Sequence, residues 1–495
     1  MTDLFSPSER EKQLHDFDAV WPGIKMNLES YHNIIARKRV TFESRGLKSW
    51  GELPASLFDH QKHGVEFALR QGCAAIFYDT GLGKSRMAHA WGEQIIRETN
   101  KPVLMLAPLA VGPQHVREAE EVGIDAKVIR SGAEIGGAGI YVLNYDRLDK
   151  IDPSVFGGVI LDESSIIKNF TGATTRALIS AFGRTQYRLA CTATPAPNDH
   201  TELGQHSAFL GVMDSPEMLS RWFLADQTQM GRYRLKKAAV RPFWEWVASW
   251  ARCVEKPSDL GYSDAGFVLP ELVTHRHEVR SDVTHGAGQE KDGQSLLFRI
   301  PEMSATSIHR EKRYSLEARA DIIASVVMNE PNEPWIVWVD TNDEADAMMQ
   351  RLNDGSTIEV RGSQSADEKE AKLVAFSRGH VKRIITKSSI AGFGLNWQHC
   401  ARQAFIGLSF SYESYYQAVR RSWRFGQKRP VHVHIACADT ERAIFDTVTR
   451  KADDHGVMKK EMAAAMRRAS RSSRVYEDYN PTIEASLPAW MVSRG

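Results

Sequence analysis

The chain has 495 residues, of which 42% are hydrophobic and 25% are charged, and its formal net charge is +1 at pH 7. This composition excludes a disordered chain, a collagen-like fibre and a coiled-coil rod, and the length suits about two to four domains. Because the net charge is close to zero, a polyanion would have to bind a local basic patch. Without a membrane-length apolar run or a signal-peptide pattern, we expect a cytoplasmic protein that binds no membrane.

Short apolar runs alternate with amphipathic stretches from about residue 57, which predicts a parallel sheet covered by helices. The runs in the first part of the chain are Ala74–Phe77, Val103–Ala107, Ile140–Leu143, Val159–Leu161 and Tyr187–Cys191. Amphipathic stretches such as Arg86–Glu98 and Thr174–Ala181 lie between them and are expected to be helices.

Tryptophan, phenylalanine, methionine and arginine become frequent between 205 and 255, and their spacing predicts a helical insertion with a tryptophan core. The polar stretch Ser281–Gln294 predicts a loop. Strand and helix patterns then resume, with apolar runs at Trp335–Val339, Ile358–Val360, Ile384–Thr386, Gln403–Leu408 and Val431–Ala436.

The sequence therefore predicts an α/β fold with two parallel-sheet lobes. The expected divisions are an N-terminal extension (1–50), lobe one (51–204), a helical insertion and linker (205–305), lobe two (306–450) and a C-terminal basic helix and tail (451–495).

A glycine loop, Asp79–Ser85, follows the first apolar run and precedes a predicted helix. Gly81 and Gly83 would let backbone N–H groups face phosphates, Lys84 would add a positive charge, and the Ser85 hydroxyl would bind Mg²⁺. The full phosphate-loop pattern has a further glycine just before this segment, so a chance glycine turn is the alternative. The position between strand and helix favours nucleotide binding.

Two acids, Asp162 and Glu163, end a later apolar run. In a phosphate-loop ATPase Asp162 would help to hold Mg²⁺ and Glu163 would polarise the attacking water. A solvated acid pair is the alternative, but together with the glycine loop the pair predicts ATP hydrolysis. The hydroxyls of Thr192 and Thr194 follow the next run and are candidates to couple Glu163 to the second lobe, although a proline-rich loop would also explain that segment.

A basic segment, Gln417–Gln427, is predicted to be helical, which would place Gln417, Arg421 and Arg424 on one face. Two guanidinium groups presented together suit a triphosphate, whose charge builds up as the γ-phosphoryl group leaves. A solvated basic helix is the alternative, and it is the expected description of Arg420.

In this order the motifs resemble those of the Swi/Snf-type branch of superfamily 2 helicase-like ATPases, over roughly residues 51–450. The segments that carry the resemblance are Leu57–Val65 (glutamine motif), Asp79–Ser85 (I), Ala107–Leu109 (Ia), Asn144–Leu148 (Ib), Asp162–Ser165 with Ile167–Asn169 (II), Thr192–Pro195 with Asn198 and Glu202–Leu203 (III), Ser389–Asn396 (V) and Gln417–Gln427 (VI). The chain departs from the branch at Ser165, where histidine is usual, and at Arg420, where an acid is common. Its compactness resembles single-unit members from phages and bacteria, so the expected location is the cytoplasm of a bacterial host or phage-infected cell.

The resemblance implies two RecA-like lobes of the P-loop NTPase type that close over ATP and Mg²⁺. The ATP-binding residues would be Gln61, Thr80, Gly81, Leu82, Gly83, Lys84, Ser85 and Gly394. The catalytic residues would be Lys84, Asp162, Glu163, Arg421 and Arg424, with Ser85 and Asp162 as Mg²⁺ ligands. The coupling residues would be Thr192, Thr194 and Gln417.

The resemblance also implies a nucleic-acid groove across the two lobes, and double-stranded DNA is the expected partner. Candidate contacts are Pro108, Leu109, Asn144, Tyr145, Asn396 and Trp397, although an aromatic residue beside a strand, such as Trp397, is more often part of a core. The expected activity is ATP-driven translocation along duplex DNA. The alternatives are a strand-separating DNA or RNA helicase, the motor subunit of a restriction or defence complex targeted by a protein partner, and a scaffold without catalysis.

Overall fold

The structure is a computed structural model, and it describes residues 44–108, 111–169, 172–226, 233–280, 312–391, 396–409, 411–438 and 442–478. The internal contacts divide the chain into Glu43–Arg471, which holds both sheets, and a unit of Met1–Phe42 with Ser472–Gly495. The expected loop Ser281–Gln294 and most of the expected N-terminal extension lie outside the described residues.

The strands of the first half are β1 Cys73–Tyr78, β2 Val103–Ala107, β3 Ala126–Val128, β4 Ile140–Asn144, β5 Gly158–Asp162, β6 Tyr187–Cys191, β7 Phe223–Ala225, β8 Tyr233–Leu235 and β9 Ala251–Val254. Within the described residues, seven of them form a parallel sheet in the order β3-β4-β2-β5-β6-β1-β9, while β7 and β8 form an antiparallel pair. Strands β1, β2, β5 and β6 are buried along their whole length, as expected when helices cover both faces of a parallel sheet.

The α-helices that accompany these strands are α1 Asp59–Gln71, α2 Lys84–Thr99, α3 Gly112–Glu120, α4 Ala173–Phe182, α5 Leu203–Leu210, α6 Ser215–Trp222 and α7 Val240–Trp250. Because the strands are parallel, the segments that follow β1, β4, β5 and β6 all emerge at the carboxyl edge of the sheet. Asp79, Asn144, Asp162 and Thr192 are therefore brought to one edge of lobe one.

The strands of the second half are β10 Leu272–Val279, β11 Trp335–Val339, β12 Thr357–Val360, β13 Arg383–Lys387, β14 Arg402–Phe405 and β15 Val431–Ala438. They form a second parallel sheet in the order β10-β15-β14-β11-β13-β12. The described helices here are α8 Leu316–Asn329, α9 Asn342–Leu352, α10 Ala366–Ser377, α11 Ser388–Ala391, α12 Tyr412–Val419 and α13 Arg442–Asp478. Two parallel-sheet lobes covered by helices confirm the predicted fold class.

The stretch expected to be a helical insertion, 205–305, contributes one strand to each sheet. Strand β9 pairs with β1, where Ala251 lies opposite Ala75, and β10 pairs with β15 over eight residue pairs. Its tryptophans form a core as expected, and the buried ones are Trp222, Trp244, Trp246 and Trp250. Sheet membership therefore does not follow the expected boundaries at 204/205 and 305/306, because a strand's partner is not encoded in its local pattern.

The last helix, α13, packs against the β9 edge of lobe one. The Cys253 amide donates to the Met466 sulfur over 3.2 Å. Arg467 lies 3.6 Å from Asp259, and Arg468 lies 3.7 Å from a carboxylate oxygen on α7. Basic residues of this helix are thus paired with acids of lobe one. Among the described helices, none combines the length and apolar composition that crossing a membrane requires.

Candidate active site

A cavity of about 250 Å³ lies between the two lobes. The predicted site residues that line it are Gln61, Thr80, Gly81, Gly83, Lys84, Ser85, Asp162, Glu163, Asn396, Arg421 and Arg424. A larger cavity of about 830 Å³ lies at the opposite, amino edge of the first sheet and contains no predicted site residue. The smaller cavity is therefore the candidate site.

The glycine loop between β1 and α2 needs glycine at two positions. Gly81 (φ +90°) and Gly83 (φ +82°) have left-handed backbone conformations that favour glycine. A Cβ atom on Gly83 would lie 2.1 Å from the Gln61 side-chain nitrogen, and one on Gly81 would lie 2.9 Å from the backbone nitrogen of Phe425 in lobe two. The close approach of the lobes at this loop thus depends on the absence of a side chain.

Gln61 anchors the loop through both ends of its amide. The Phe58 backbone amide donates to Gln61 Oε1 over 3.1 Å, and Gln61 Nε2 donates to the Leu82 carbonyl oxygen over 3.0 Å. At the start of the loop, the Thr80 amide donates to the Asp79 carboxylate over 2.6 Å. The contact with ATP that is expected of Gln61 stays a prediction.

The Lys84 ammonium group is held by backbone carbonyl groups. It donates to the Tyr78 oxygen over 2.9 Å and to the Asp79 oxygen over 3.4 Å. Burial lowers the pKa of Lys84, and the neighbouring charges of Glu163, Asp79 and Asp162 offset part of that effect. A phosphate group in the cavity would stabilise the charged form.

Asp162 ends β5 and forms an ion pair that sequence reasoning missed. Its carboxylate lies 3.1 Å from His115 Nε2 of α3, and both groups are largely buried. Burial opposes both charges, but the pair lowers the pKa of Asp162 and raises that of His115. Nothing in the local spacing of His115 indicates this contact. Since Ser85 and Asp162 line the same cavity and supply the oxygen atoms that Mg²⁺ prefers, these residues fit a magnesium ion.

Glu163 has the properties of a general base. Burial and the adjacent Asp162 charge raise its pKa to about 7. Thr192 Oγ1 lies 3.5 Å from Glu163 Oε2 and accepts a hydrogen bond from the Thr194 amide over 3.1 Å. The two threonines therefore lie where the predicted coupling role requires them, and that role stays a prediction.

The arginines of lobe two reach the cavity from turns rather than from one helical face. Helix α12 ends at Val419, so the predicted helical spacing is wrong beyond that residue. Arg421 Nε donates to the Gln417 carbonyl oxygen over 3.3 Å. Burial and the charge of Arg424 lower the pKa of Arg421 to about 9, and burial lowers that of Arg424 to about 10.

Arg420 is not the solvated residue that its surroundings in the sequence predict. Its side chain is buried and pairs with the Asp79 carboxylate of lobe one. A second contact between the lobes that sequence reasoning missed joins Lys168 to Glu413. The sequence signal that could have indicated the pair of Arg420 and Asp79 is the basic residue at a position where the family commonly has an acid.

Two residues that are predicted to contact nucleic acid have buried side chains, and their contacts stay predictions. Trp397 is fully buried in lobe two, and its Nε1 donates to Ser377 Oγ over 2.9 Å. Tyr145 is buried, and its hydroxyl donates to the Asp162 carbonyl oxygen over 2.8 Å. Neither ring can stack on a nucleotide from these positions, because protein atoms already cover both.

The other nucleic-acid candidates stay predictions. Pro108 follows β2 at the carboxyl edge, and Asn144 Oδ1 accepts from the Asp146 amide over 2.7 Å. Asn396 lines the cavity between the lobes. Leu109 and the predicted ATP ligand Gly394 lie outside the described residues.

Sequence reasoning also missed three phenylalanines that meet at the cavity. Phe58 of lobe one, Phe267 of the connecting segment and Phe425 of lobe two all line it. Their ring centroids lie 5.2 Å (Phe58 to Phe267) and 4.8 Å (Phe267 to Phe425) apart. Phe58 and Phe425 are 44% and 37% exposed, so their rings are accessible to a planar ligand. Phe58 and Phe425 each lie within a motif segment, which is the signal that could have identified them.

Comparison with known proteins shows what this chain is similar to. Residues 318–426 match the helicase conserved C-terminal domain. The bovine (Bos taurus) protein named DNA annealing helicase and endonuclease ZRANB3 is 23% identical over 449 residues, which cover 82% of this chain and 41% of the relative. The bovine SWI/SNF-related matrix-associated actin-dependent regulator of chromatin subfamily A-like protein 1 is 23% identical over 430 residues, which cover 78% of this chain and 43% of the relative.

The chain thus spans about two fifths of the length of these curated relatives. A solved structure titled Sulfolobus solfataricus SWI2/SNF2 ATPase core in complex with dsDNA matches with a TM-score of 0.40 and 17% identity, covering 86% of this chain and 98% of that one. The helicase C-terminal domain match, the curated relatives and the order of the motifs support the predicted resemblance to the Swi/Snf-type branch of superfamily 2 helicase-like proteins.

Proposed function

We propose that this chain hydrolyses ATP in the cavity between the lobes and uses the hydrolysis to move along duplex DNA. One observation carries the proposal: cations from both lobes surround an acid pair. Burial lowers the pKa of Lys84, of Arg421 (to about 9) and of Arg424 (to about 10), so an anion bound in the cavity would stabilise their charged forms. A triphosphate would supply that anion.

The residues of the cavity suit phosphoryl transfer to water. The backbone of the glycine loop and Lys84 would hold the phosphates, and Arg421 and Arg424 would stabilise the charge that develops on the transferred group. Glu163, with a pKa of about 7, would take the proton of the attacking water. Mg²⁺, held by Ser85 and Asp162, would neutralise charge on the phosphates. Gln417 and the two threonines would link this chemistry to the second lobe.

Movement would follow from the division of the site between two lobes. Lys84 and Glu163 belong to lobe one and the arginines belong to lobe two, so the site is complete only when the lobes are close together. Hydrolysis and product release would let them separate, and repeated closure would shift them along a bound strand. We propose that Pro108, Leu109, Asn144 and Asn396 contribute to the strand-binding groove.

The choice of duplex DNA is supported by the names of the curated relatives, one of which is called a DNA annealing helicase. It also suits the net charge of +1, because a groove needs only local cations. Strand separation, and service as the motor of a restriction or defence complex with a targeting partner, are the second candidates. We place the protein in the cytoplasm.

The test is the ATPase rate of the full chain with duplex DNA, single-stranded DNA and RNA at one salt concentration, with Lys84→Ala as the inactive control. We expect duplex DNA to stimulate hydrolysis most and to support displacement of a third strand from a triplex. Stronger stimulation by single strands or RNA, with unwinding of a duplex, would instead establish a helicase. An unchanged rate in Lys84→Ala would refute hydrolysis at this site.

A further inference from the structure

Next to the cavity, a carboxylate of lobe one is held by two cations from later parts of the chain. Asp79 follows strand β1 as the first residue of the glycine loop, and it is 5% exposed. Its carboxylate binds the Arg420 guanidinium group and accepts from the Tyr416 hydroxyl. Lys459 of α13 donates to the same carboxylate over 3.2 Å and to the Tyr416 hydroxyl over 3.3 Å. We name these four residues the Asp79 cluster.

The Asp79 cluster joins three separate parts of the molecule. Asp79 belongs to lobe one, Tyr416 and Arg420 belong to lobe two, and Lys459 lies on the last helix, 380 residues after Asp79. Arg420 and Lys459 are 7% and 4% exposed. Surface ion pairs contribute little to stability, but buried charges are strongly dependent on their partners. The cluster therefore favours one arrangement of these three parts.

The charges in the cluster balance only when all partners are present. Burial raises the pKa of Asp79, but Arg420, Lys459 and the Tyr416 hydroxyl together hold that pKa well below its usual range. Lys459 has a further acidic neighbour, Glu255, at 3.5 Å. Removal of either cation would leave the buried carboxylate with weaker compensation, which is costly in a low-dielectric environment.

The same aspartate sets the position of the phosphate-binding loop. Its carboxylate accepts the Thr80 amide over 2.6 Å, and its own amide donates to the Val254 carbonyl oxygen over 2.8 Å. Its carbonyl oxygen is one of the two acceptors of the Lys84 ammonium group. A shift of Asp79 would therefore displace both the first loop amide and the loop lysine.

We propose that Arg420 and Lys459 are positioning residues for ATP binding, so that the last helix is a required part of the nucleotide site. This inference rests on the proposed ATPase function. Neither side chain is among the residues that line the cavity. Both residues would therefore act through Asp79 and not by contacting a phosphate. When the lobes separate, Asp79 loses its contacts with lobe two, and the glycine loop is no longer held in position. Nucleotide affinity should therefore be higher when the lobes are closed.

The test compares Lys459→Met with Lys460→Met in the full chain, because Lys460 is the exposed neighbour on the same helix. We expect Lys459→Met to raise the Kd for ADP and the KM for ATP about tenfold, the effect of losing one buried charge-assisted hydrogen bond. The kcat at saturating ATP should change by less than about threefold, because Lys459 does not contact the transferred group. Lys460→Met should leave all three values unchanged.

Hydrogen exchange of the peptide that contains the glycine loop provides the direct readout of positioning. Amides of Asp79–Ser85 should exchange faster in Lys459→Met than in Lys460→Met, and Lys459→Arg should restore slow exchange and nucleotide affinity. Tyr416→Phe retains the ring and removes one hydroxyl donor, so it tests the cluster if Lys459→Met does not fold. We expect it to raise the ADP Kd about threefold.

Two outcomes would overturn the inference and are distinct from failure of the proposed function. The first is an ADP Kd and loop exchange that are the same in Lys459→Met and Lys460→Met. The second is a fall in kcat without a change in nucleotide affinity. If the wild-type chain bound no ADP or ATP, the proposed function itself would fail, and with it the inference.

Discussion

Replacement of Trp397 by alanine should destabilise lobe two without acting through nucleic acid. The ring is fully buried and packs edge-on against Phe376, with ring centroids 5.1 Å apart, and lies 6.0 Å from the ring of Trp338. Truncation of a buried tryptophan removes these contacts and leaves a cavity. The expected loss is about 3–5 kcal/mol in the free energy of unfolding.

Two further variants separate the contributions of packing and hydrogen bonding. Trp397→Phe retains most of the ring but loses the bond to Ser377, whose hydroxyl keeps its bond to the Leu373 carbonyl oxygen over 2.9 Å. We expect that variant to lose about 1–2 kcal/mol. Asn396→Ala, at the exposed neighbouring position, is the control for stability alone, since Asn396 is a proposed groove residue, and it should change stability by less than about 0.5 kcal/mol.

The assay is guanidinium-induced unfolding of the full chain, followed by circular dichroism, together with duplex DNA affinity by fluorescence anisotropy at one salt concentration. A lower midpoint in Trp397→Ala, with unchanged affinity under conditions where it is folded, is the expected result. A variant that unfolds like the wild type but binds DNA more weakly would refute the placement of Trp397 in the core.

Three other perturbations test the active site and the interior. Glu163→Gln should lower kcat for ATP hydrolysis about 10²–10⁴-fold while nucleotide Kd, measured by calorimetry, stays within about threefold. Burial lowers the pKa of His206 to about 4, so this histidine is protonated in the unfolded chain before it is protonated in the folded chain as the pH falls. The free energy of unfolding should therefore decrease between about pH 6.5 and 4. His206→Gln should reduce the slope of this decrease by up to about 1.4 kcal/mol per pH unit. Arg319→Met should cost about 3–5 kcal/mol in urea unfolding, because the buried Glu344 carboxylate, 2.9 Å away and 1% exposed, would lose its cationic partner. A double variant with Glu344→Gln should lose less.

Local sequence patterns predicted ten of the fifteen described strands, but not the partners of the strands. The run Val103–Ala107 coincides with β2, since a short apolar run bounded by a proline at each end suits a buried parallel strand. Strands β9 and β10 were not assigned to the sheets, because pairing with β1 and β15 depends on contacts between distant segments. Register and partner are tertiary properties that neither length nor apolar content determines.

The active site likewise has some features that the sequence could predict and others that it could not. The glycine loop could be predicted because the required backbone conformation restricts residue type, and Gly81 and Gly83 have the left-handed angles that this requires. The contact of His115 with Asp162 could not, since a lone histidine has many satisfactory environments and its partner is 47 residues away. The burial of Arg420 was missed because a cation in a basic segment is ordinarily solvated.

Near-neutral net charge is compatible with a strongly charged site because the charges of the cavity oppose one another. The cavity is lined by four cations and four acids, which share one partly buried space: Lys84, Arg86, Arg421, Arg424, Glu118, Glu121, Asp162 and Glu163. The acids reduce the repulsion among the cations before nucleotide binds. The pKa values of Lys84, Arg421 and Arg424 are nevertheless lowered, so a further anion would stabilise their charged forms. Since Arg421 and Arg424 come from lobe two, an anion bound to lobe one would gain less stabilisation from them when the lobes separate. We therefore expect charge alone to link affinity for a polyanionic ligand to lobe closure, before any specific contact with the base or sugar is considered.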